Sequence, residues 1–298
     1  MPSNPRSILT SIVPVVFPVF AAVARCAVPV TTGYVPFSYH TLPPAPGDQA
    51  YRTYYELWGS LDSDKAPLIA LHGGPGADCD YMRPGYGDLA NVTGRPVLLY
   101  DQFGCGRSSH IPNSQGNNTI WDIEMFMAEF NNLVTALHIK TYSMAGQSSG
   151  ASFAGVGPAR MSDWHVSVLG LVNAMGPDVS GPILEASETG NFSSPEYQSA
   201  INAFYAQHFC RIDPFPPLLQ SSFQNIDDDP TVYTTMNGPD EINTTGNMRD
   251  FDIVKECSAI DVPTLLINGH SVTVANASHM LHLEHPTEFT RILKEFLD

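Results

Sequence analysis

Basic residues are scarce in this 298-residue chain: 14 Lys and Arg stand against 30 Asp and Glu, a formal charge of −16. So acidic a surface repels phosphate backbones and anionic lipid headgroups, which argues against nucleic acid or a membrane surface as partners. Cysteine is thin too. Cys26, Cys79, Cys105, Cys210 and Cys257 form no C-x-x-C pair, so zinc-ribbon and thioredoxin-type motifs are unsupported. Scattered buried thiols are the plainer reading, with two bridges as the alternative in an exported chain. No repeat recurs at solenoid spacing. Charged residues make up only 15% and hydrophobic residues 43%, enough to bury the core of one large domain or of a domain with an inserted lid.

One long apolar run exists, residues 8–24 after Arg6, but Pro14 and Pro18 make it a poor membrane span. It closes on Ala22-Val23-Ala24, a small-x-small pattern of the kind signal peptidase cuts, and residues 1–28 read as a leader. A buried N-terminal segment and a wrongly assigned start are the alternatives. Sequons at Asn91, Asn117, Asn191, Asn243 and Asn276 favour secretion over a cytoplasmic location.

Short apolar runs follow at 67–71, 96–100, 141–145, 166–173 and 263–267, each ended by glycine or a polar turn. Apolar on both faces, they read as buried parallel strands, with 51–57 an early antiparallel strand. Residues 121–137 place Ile123, Met127, Phe130, Val134 and Leu137 at helical spacing, and Phe289, Ile292, Leu293 and Phe296 repeat the pattern. The alternation predicts an α/β fold, a mostly parallel sheet covered by helices. Residues 176–257, rich in Pro, Asp, Ser, Tyr and Phe and helical over 199–209, read as an inserted helical cap. The core is then 29–175 and 258–298.

Three glycine-bearing motifs fall at the carboxyl ends of predicted strands, where open α/β sheets place ligands. Gly146-Gln147-Ser148-Ser149-Gly150 is a G-x-S-x-G elbow, whose tight turn pushes one hydroxyl out of the backbone. His72-Gly73-Gly74-Pro75-Gly76 can aim backbone N–H groups at a developing oxyanion, because no Cβ obstructs the approach. The third, from Asp101 to Ser108 (DQFGCGRS), reads as a turn that braces the pocket without a chemical step.

Together these motifs resemble, in order and spacing, the proline iminopeptidase family of α/β-hydrolases, serine aminopeptidases that release N-terminal residues. The likeness continues through Ser194-Pro-Glu-Tyr-Gln198, the run from Asp229 to Gly238, Asp250 to Ile253, Val262 to Gly269 and Ser278-His-Met280, so it spans roughly Val35 to the C-terminus. It implies an α/β-hydrolase fold with a helical cap and an acyl-enzyme mechanism without cofactor or metal. Its substrate would be a peptide or aminoacyl amide with a free N-terminus, preferring proline or small apolar residues there. On matching positions, Ser148 would be the nucleophile, His279 the base and later the acid, and the N–H groups of Gly74 and Ser149 the oxyanion hole. His270, His282 and His285 are rival histidines, but only His279 matches the family position. In the cap, Glu196 and Glu241 match glutamates that bind the substrate's ammonium and so reject acylated N-termini.

The chain departs from the pattern where the family carries its triad aspartate. Asn268-Gly269-His270 runs straight into residues 271–275, which resemble the next strand, although parallel strands need a crossover of about a dozen residues. Ala151 replaces a glycine, Gly155, Gly157 and Pro158 interrupt the following helix, and the cap is short before Glu196. These local losses read as a truncated gene product or a faulty gene model, with activity impaired. Asp178, just beyond 166–173, is the candidate replacement acid. Alternatives are an aminoacyl amidase or esterase of the same fold, and a catalytically inactive hydrolase-like binding protein. An epoxide hydrolase is disfavoured, because that chemistry needs a carboxylate where Ser148 stands.

Overall fold

In the computed structural model, which describes residues 27–47, 49–155, 157–267 and 274–298, five short strands form one sheet. They are β1 (Val30–Phe37), β2 (Tyr51–Trp58), β3 (Leu68–Leu71), β4 (Val97–Asp101) and β5 (Ser143–Gly146), in the spatial order β1-β2-β4-β3-β5. β4, β3 and β5 run parallel, while β1 and β2 form an antiparallel flank. Nearly all of the expected leader, and residues 268–273, lie outside the described residues.

Side-chain alternation explains why β3 and β4 are apolar throughout. Leu68, Ala70, Val97 and Leu99 share a cluster with Leu89 of α1 (Asp88–Thr93) and with Phe289, Ile292 and Leu293 of α10 (Pro286–Leu297). Ile69, Leu71, Leu98 and Tyr100 pack instead with Phe130, Leu133 and Val134 of α2 (Ile123–Ala136). The Asp122 carboxylate caps α2 by accepting from Met125 N at 2.7 Å. β1 escaped the sequence reading because Gly33 and Pro36 interrupt it. As an edge strand it tolerates Pro36, and the Tyr55 ring lies over the space a Cβ at Gly33 would occupy.

Two expected strands are not strands. Residues 166–173 belong to α4 (Met161–Ala174), in which Met161, Val168 and Val172 form a buried helical stripe. An unbroken apolar run does not by itself separate strand from helix. Residues 263–267 form no strand among the described residues, Leu266 being 66% exposed while Leu265 and Ile267 lean on the core. The alternation there is strand-like but the pairing is not made. Among the described residues, β5 is therefore the outermost strand on its side.

A helical layer follows α3 (Ser149–Phe153): α4, α5 (Pro177–Thr189), α6 (Pro195–His208), α7 (Pro217–Asp228) and α8 (Thr231–Met236), with α9 (Leu281–Glu284) leading into α10. Val168 and Val172 of α4 share a buried cluster with Ile183, Ala186, Tyr197, Phe204 and Ile242. The helical layer thus begins at α4 rather than at residue 176. Cys79, Cys105 and Cys210 are buried free thiols and Cys257 is a half-buried one, while Cys26 lies outside the described residues.

A buried charge cluster closes one end of the sheet. Asp101, fully buried at the end of β4, accepts from Arg107 N (2.8 Å), Arg107 Nε (2.7 Å) and Cys79 N (2.9 Å). Glu56 of β2 accepts from Arg83 Nε (3.0 Å) and Arg107 Nη1 (3.1 Å). Glu56, Cys79 and Asp80 converge closely enough to hold a metal ion, but Arg83 and Arg107 already neutralise the two carboxylates. Burial pushes the Asp101 and Glu56 carboxyls up, and the arginine hydrogen bonds more than reverse this, holding both below the usual range. Arg107→Ala therefore leaves Asp101 without its main counter-charge and destabilises the fold by on the order of 3 kcal/mol. Scanning calorimetry at neutral pH should show a clearly lower Tm. Because a depressed carboxyl pKa stabilises fully above its unfolded value and loses that contribution as pH falls through its folded value, the gap to wild type should close progressively as pH falls below about 4. Equal melting at pH 7 would refute the assignment.

Candidate active site

β5 delivers the G-x-S-x-G elbow to the carboxyl end of the sheet. Ser148 sits at φ 55°, ψ −128°, a sparsely populated conformation that costs a non-glycine residue about 1–3 kcal/mol. The flanking glycines permit it: a Cβ on Gly146 would lie 2.3 Å from Gly150 O, and one on Gly150 would lie 2.3 Å from Leu71 O. Ser148 is left half-exposed. Ser149 opens α3, so its N–H has no acceptor within the helix.

The His72-Gly76 loop lies directly against this elbow, a Cβ on Gly73 being only 2.7 Å from Ser148 Cβ. His72 fixes the loop by a defined tautomer. Gln102 N donates to His72 Nε2 at 3.0 Å, so the ring proton is on Nδ1 and is donated to Gly73 O at 2.8 Å. The Gln102 side chain returns a bond to His72 O at 2.9 Å. Burial keeps the imidazole neutral by lowering its pKa, despite the bond to Gly73. Gly73 O and Gly74 N–H belong to one trans peptide, so holding the carbonyl fixes the direction in which Gly74 N–H projects. The Asp101–Ser108 turn thus braces the pocket as its sequence implied, with Phe103 N further held by Glu129 Oε2 at 2.9 Å.

His279 reaches the same neighbourhood from the C-terminal segment. Gln147 Nε2 donates to His279 O at 3.3 Å, and the segment is pinned to the end of α6 by His279 N to His208 O (3.1 Å) and Met280 N to Phe209 O (2.9 Å). The half-buried His279 ring packs near Phe209 and Trp164, centroids 5.6 and 6.3 Å away. Of the rival histidines, His282 is buried beneath Tyr81, its pKa lowered to about 4 chiefly by desolvation. His285 Nε2 lies 3.4 Å from Asn276 O, and His270 is outside the described residues. Asp178 loses the premise on which it was chosen. With 166–173 helical it follows no strand, and it stands exposed in the first turn of α5.

The two glutamates occupy different environments. Glu241 is desolvated beside Asp240 and accepts from Tyr233 and Tyr205; burial is the main cause raising its carboxyl to about 7. Asp240 itself is pinned by Ile242 N (3.0 Å) and Ser187 Oγ (2.7 Å). Tyr233 adjoins the glycine loop, its backbone nitrogen 3.1 Å from where a Cβ on Gly76 would be. Glu196 instead is exposed in the first turn of α6, lining a shallow depression with Glu185, Thr189, Asn191 and Ser194. Sequence reasoning missed Tyr205 and Tyr233, which lie on separate helices with no spacing to connect them to Glu241.

No protein-family model matches the chain. A proline iminopeptidase of Thermoplasma volcanium is 31% identical over 285 residues, covering 84% of this chain and 94% of that protein. One from Saccharolobus solfataricus is 31% identical, covering 82% and 88% respectively. Among solved structures, VinJ is 33% identical with a TM-score of 0.79, covering 90% of this chain and 98% of that one. The proline iminopeptidase of Mycobacterium smegmatis is 29% identical with a TM-score of 0.77, covering 90% and 97%. With an α/β-hydrolase architecture and relatives this similar along nearly their whole lengths, the chain belongs to the proline iminopeptidase family.

Proposed function

We propose that the chain is a serine aminopeptidase that releases N-terminal proline or small apolar residues through an acyl-enzyme. The observation that carries the reading is the juxtaposition of a strained serine elbow, a glycine loop locked by His72, and a desolvated Glu241 adjoining that loop through Tyr233. Ser148 Oγ attacks the carbonyl carbon of the first residue while His279 takes its proton. The resulting oxyanion is stabilised by Gly74 N–H and Ser149 N–H. Collapse transfers the proton from His279 to the leaving amine, and water repeats the sequence to release the amino acid. Glu241 receives the substrate's ammonium, and Glu196 is a secondary contact at the outer face. A fluorophosphonate probe should label the wild type at Ser148, and Ser148→Ala should not be labelled. Equal labelling of both proteins would remove the assignment.

The raised Glu241 carboxyl gives the reading a pH signature. The carboxylate attracts an ammonium only when ionised, so binding of a free N-terminus should strengthen as pH rises through about 7. The kcat/KM for a proline arylamide should carry, beyond the limb of the His279 base that it shares with acetate ester hydrolysis, an added limb near pH 7. Glu241→Gln should remove that limb and lower kcat/KM on the arylamide by about tenfold to a hundredfold, as befits a lost hydrogen bond to a charged group. Ester hydrolysis should stay within about twofold. Proportional loss on both substrates would make Glu241 a folding residue instead.

We further propose slow turnover. Residues 268–273, where the resemblance places the acid, include no carboxylate. In a well-studied serine protease, replacing the triad acid lowers the rate by about 10⁴. Arylamide turnover by the purified chain should be slow, about 10⁴-fold below that of a relative with an intact triad yet still above the uncatalysed rate, with Asp178→Asn changing little. Robust turnover that Asp178→Asn abolishes would establish a relocated triad.

A further inference from the structure

Between the glycine loop and the C-terminal segment runs a line of hydrogen bonds that the mechanism above does not use. Gly73 N donates to Tyr81 Oη at 2.6 Å, Tyr81 Oη donates to Gln147 Oε1 at 2.7 Å, and Gln147 Nε2 donates to His279 O at 3.3 Å. The polarity of this line is forced from both ends. A backbone N–H can only donate, so the tyrosine hydroxyl must accept from Gly73 and pass its own proton to Gln147. A backbone carbonyl can only accept, so Gln147 must turn its amide nitrogen to His279 and its oxygen to Tyr81. Neither residue has freedom to flip without breaking the line.

Both groups are enclosed, Tyr81 at 2% and Gln147 at 8% exposure, so an unmade bond here finds little water to replace it. Tyr81 comes from a short 3-10 turn, Asp80–Met82, and its ring is backed by the buried His282 at 5.6 Å. Gln147 sits immediately before Ser148, at the turn where its own N–H donates to Leu71 O at 3.1 Å. The glutamine therefore touches three parts of the site at once: it is covalently joined to the nucleophile, and its amide reaches the glycine loop on one side and the base-bearing segment on the other.

We infer that Tyr81 and Gln147 are positioning residues that hold the Gly73-Gly74 loop and the His279 segment in register about Ser148. The inference rests on the serine reading above, since it concerns geometry around that nucleophile. Its distinguishing consequence is that the two side chains act as one unit. Tyr81→Phe keeps the ring and removes only the hydroxyl, leaving Gly73 N–H and Gln147 Oε1 unmatched. Gln147→Met keeps the approximate volume and removes both ends of the amide.

The test measures the rate of fluorophosphonate labelling at Ser148 and the kinetics of an activated acetate ester in wild type, the two single variants and the double variant. Each single variant should lower the labelling rate and ester kcat by about tenfold to a hundredfold, with KM within about twofold. The double variant should be little worse than either single one, the non-additivity of a shared network. Unchanged rates in either single variant, losses that multiply in the double variant, or losses confined to KM would overturn the inference. Should Tyr81→Phe fail to fold, as judged by its melting curve, Gln147→Met alone decides by its kcat against KM. A wild type that the probe does not label would instead refute the serine reading and take the inference with it.

Discussion

No side chain fits between the carboxyl ends of β3 and β5, and the rest of the site is arranged around that clearance. The loop after β3 and the elbow after β5 come from stretches more than sixty residues apart in sequence, yet a Cβ on Gly73 would be 2.7 Å from Ser148 Cβ and one on Gly150 2.3 Å from Leu71 O. Such approach requires glycine on both sides, and it also requires that something keep the two loops from springing apart. That work falls to a sequence of buried polar contacts. Arg107 neutralises Asp101, and the turn that follows presents Gln102 N to His72. His72 in turn holds Gly73 O and the peptide whose N–H belongs to Gly74. Charge pairing at the end of β4 is thereby coupled to the direction of one backbone N–H beside Ser148.

What could be read from the sequence, and what could not, follows the range of the forces involved. β3, β4 and β5 were legible because their runs are short, apolar and ended by glycine or a polar turn, and β2 was legible by its alternation, all local signals. Residues 166–173 misled for the same reason: VSVLGLVN carries no period that separates a strand from a helix, and Met161, which completes the buried stripe, lies upstream of the run. The boundary of the helical layer moved with that error, and Asp178 lost its strand end with it. Residues 263–267 show the limit differently, since their alternation is real but a ladder needs a neighbour that no local pattern supplies. Ser148 and the glycine loop were legible as motifs. Tyr81, Tyr205 and Tyr233 were not, because each acts through a partner distant in sequence and a tyrosine at such a position looks like ordinary core.

The acidity of the chain also divides more sharply in three dimensions than in composition. Exposed carboxylates such as Glu185 are hydrated and screened within about 10 Å at ordinary ionic strength, and they confer charge without selectivity. Glu241 differs because it has surrendered most of its hydration and is oriented by two tyrosine hydroxyls, with Asp240 held beside it. A carboxyl poised near neutrality gains more from an ammonium than a hydrated one does, because the incoming charge replaces missing solvent rather than competing with it.

The position of β5 sets the mechanical problem of the site. As the outermost strand among the described residues, it is paired on one side only, to β3, through the register from Leu68–Ser143 to Leu71–Gly146. The strained backbone at Ser148 must then be held chiefly from the β3 side and from the His279 segment that precedes α9. Pairing of Gln147 N with Leu71 O extends the ladder one residue past the strand, to the edge of the strained residue itself. Beyond that point the main chain turns into α3 and offers β3 no further donor, so resistance to relaxation has to come from side chains. Gln147 is the residue placed to provide it, with Tyr81 beneath the glycine loop and the His279 carbonyl opposite. A strained elbow on a singly paired strand is stable only if its neighbours over-determine it, and here the over-determination is polar, directional and buried.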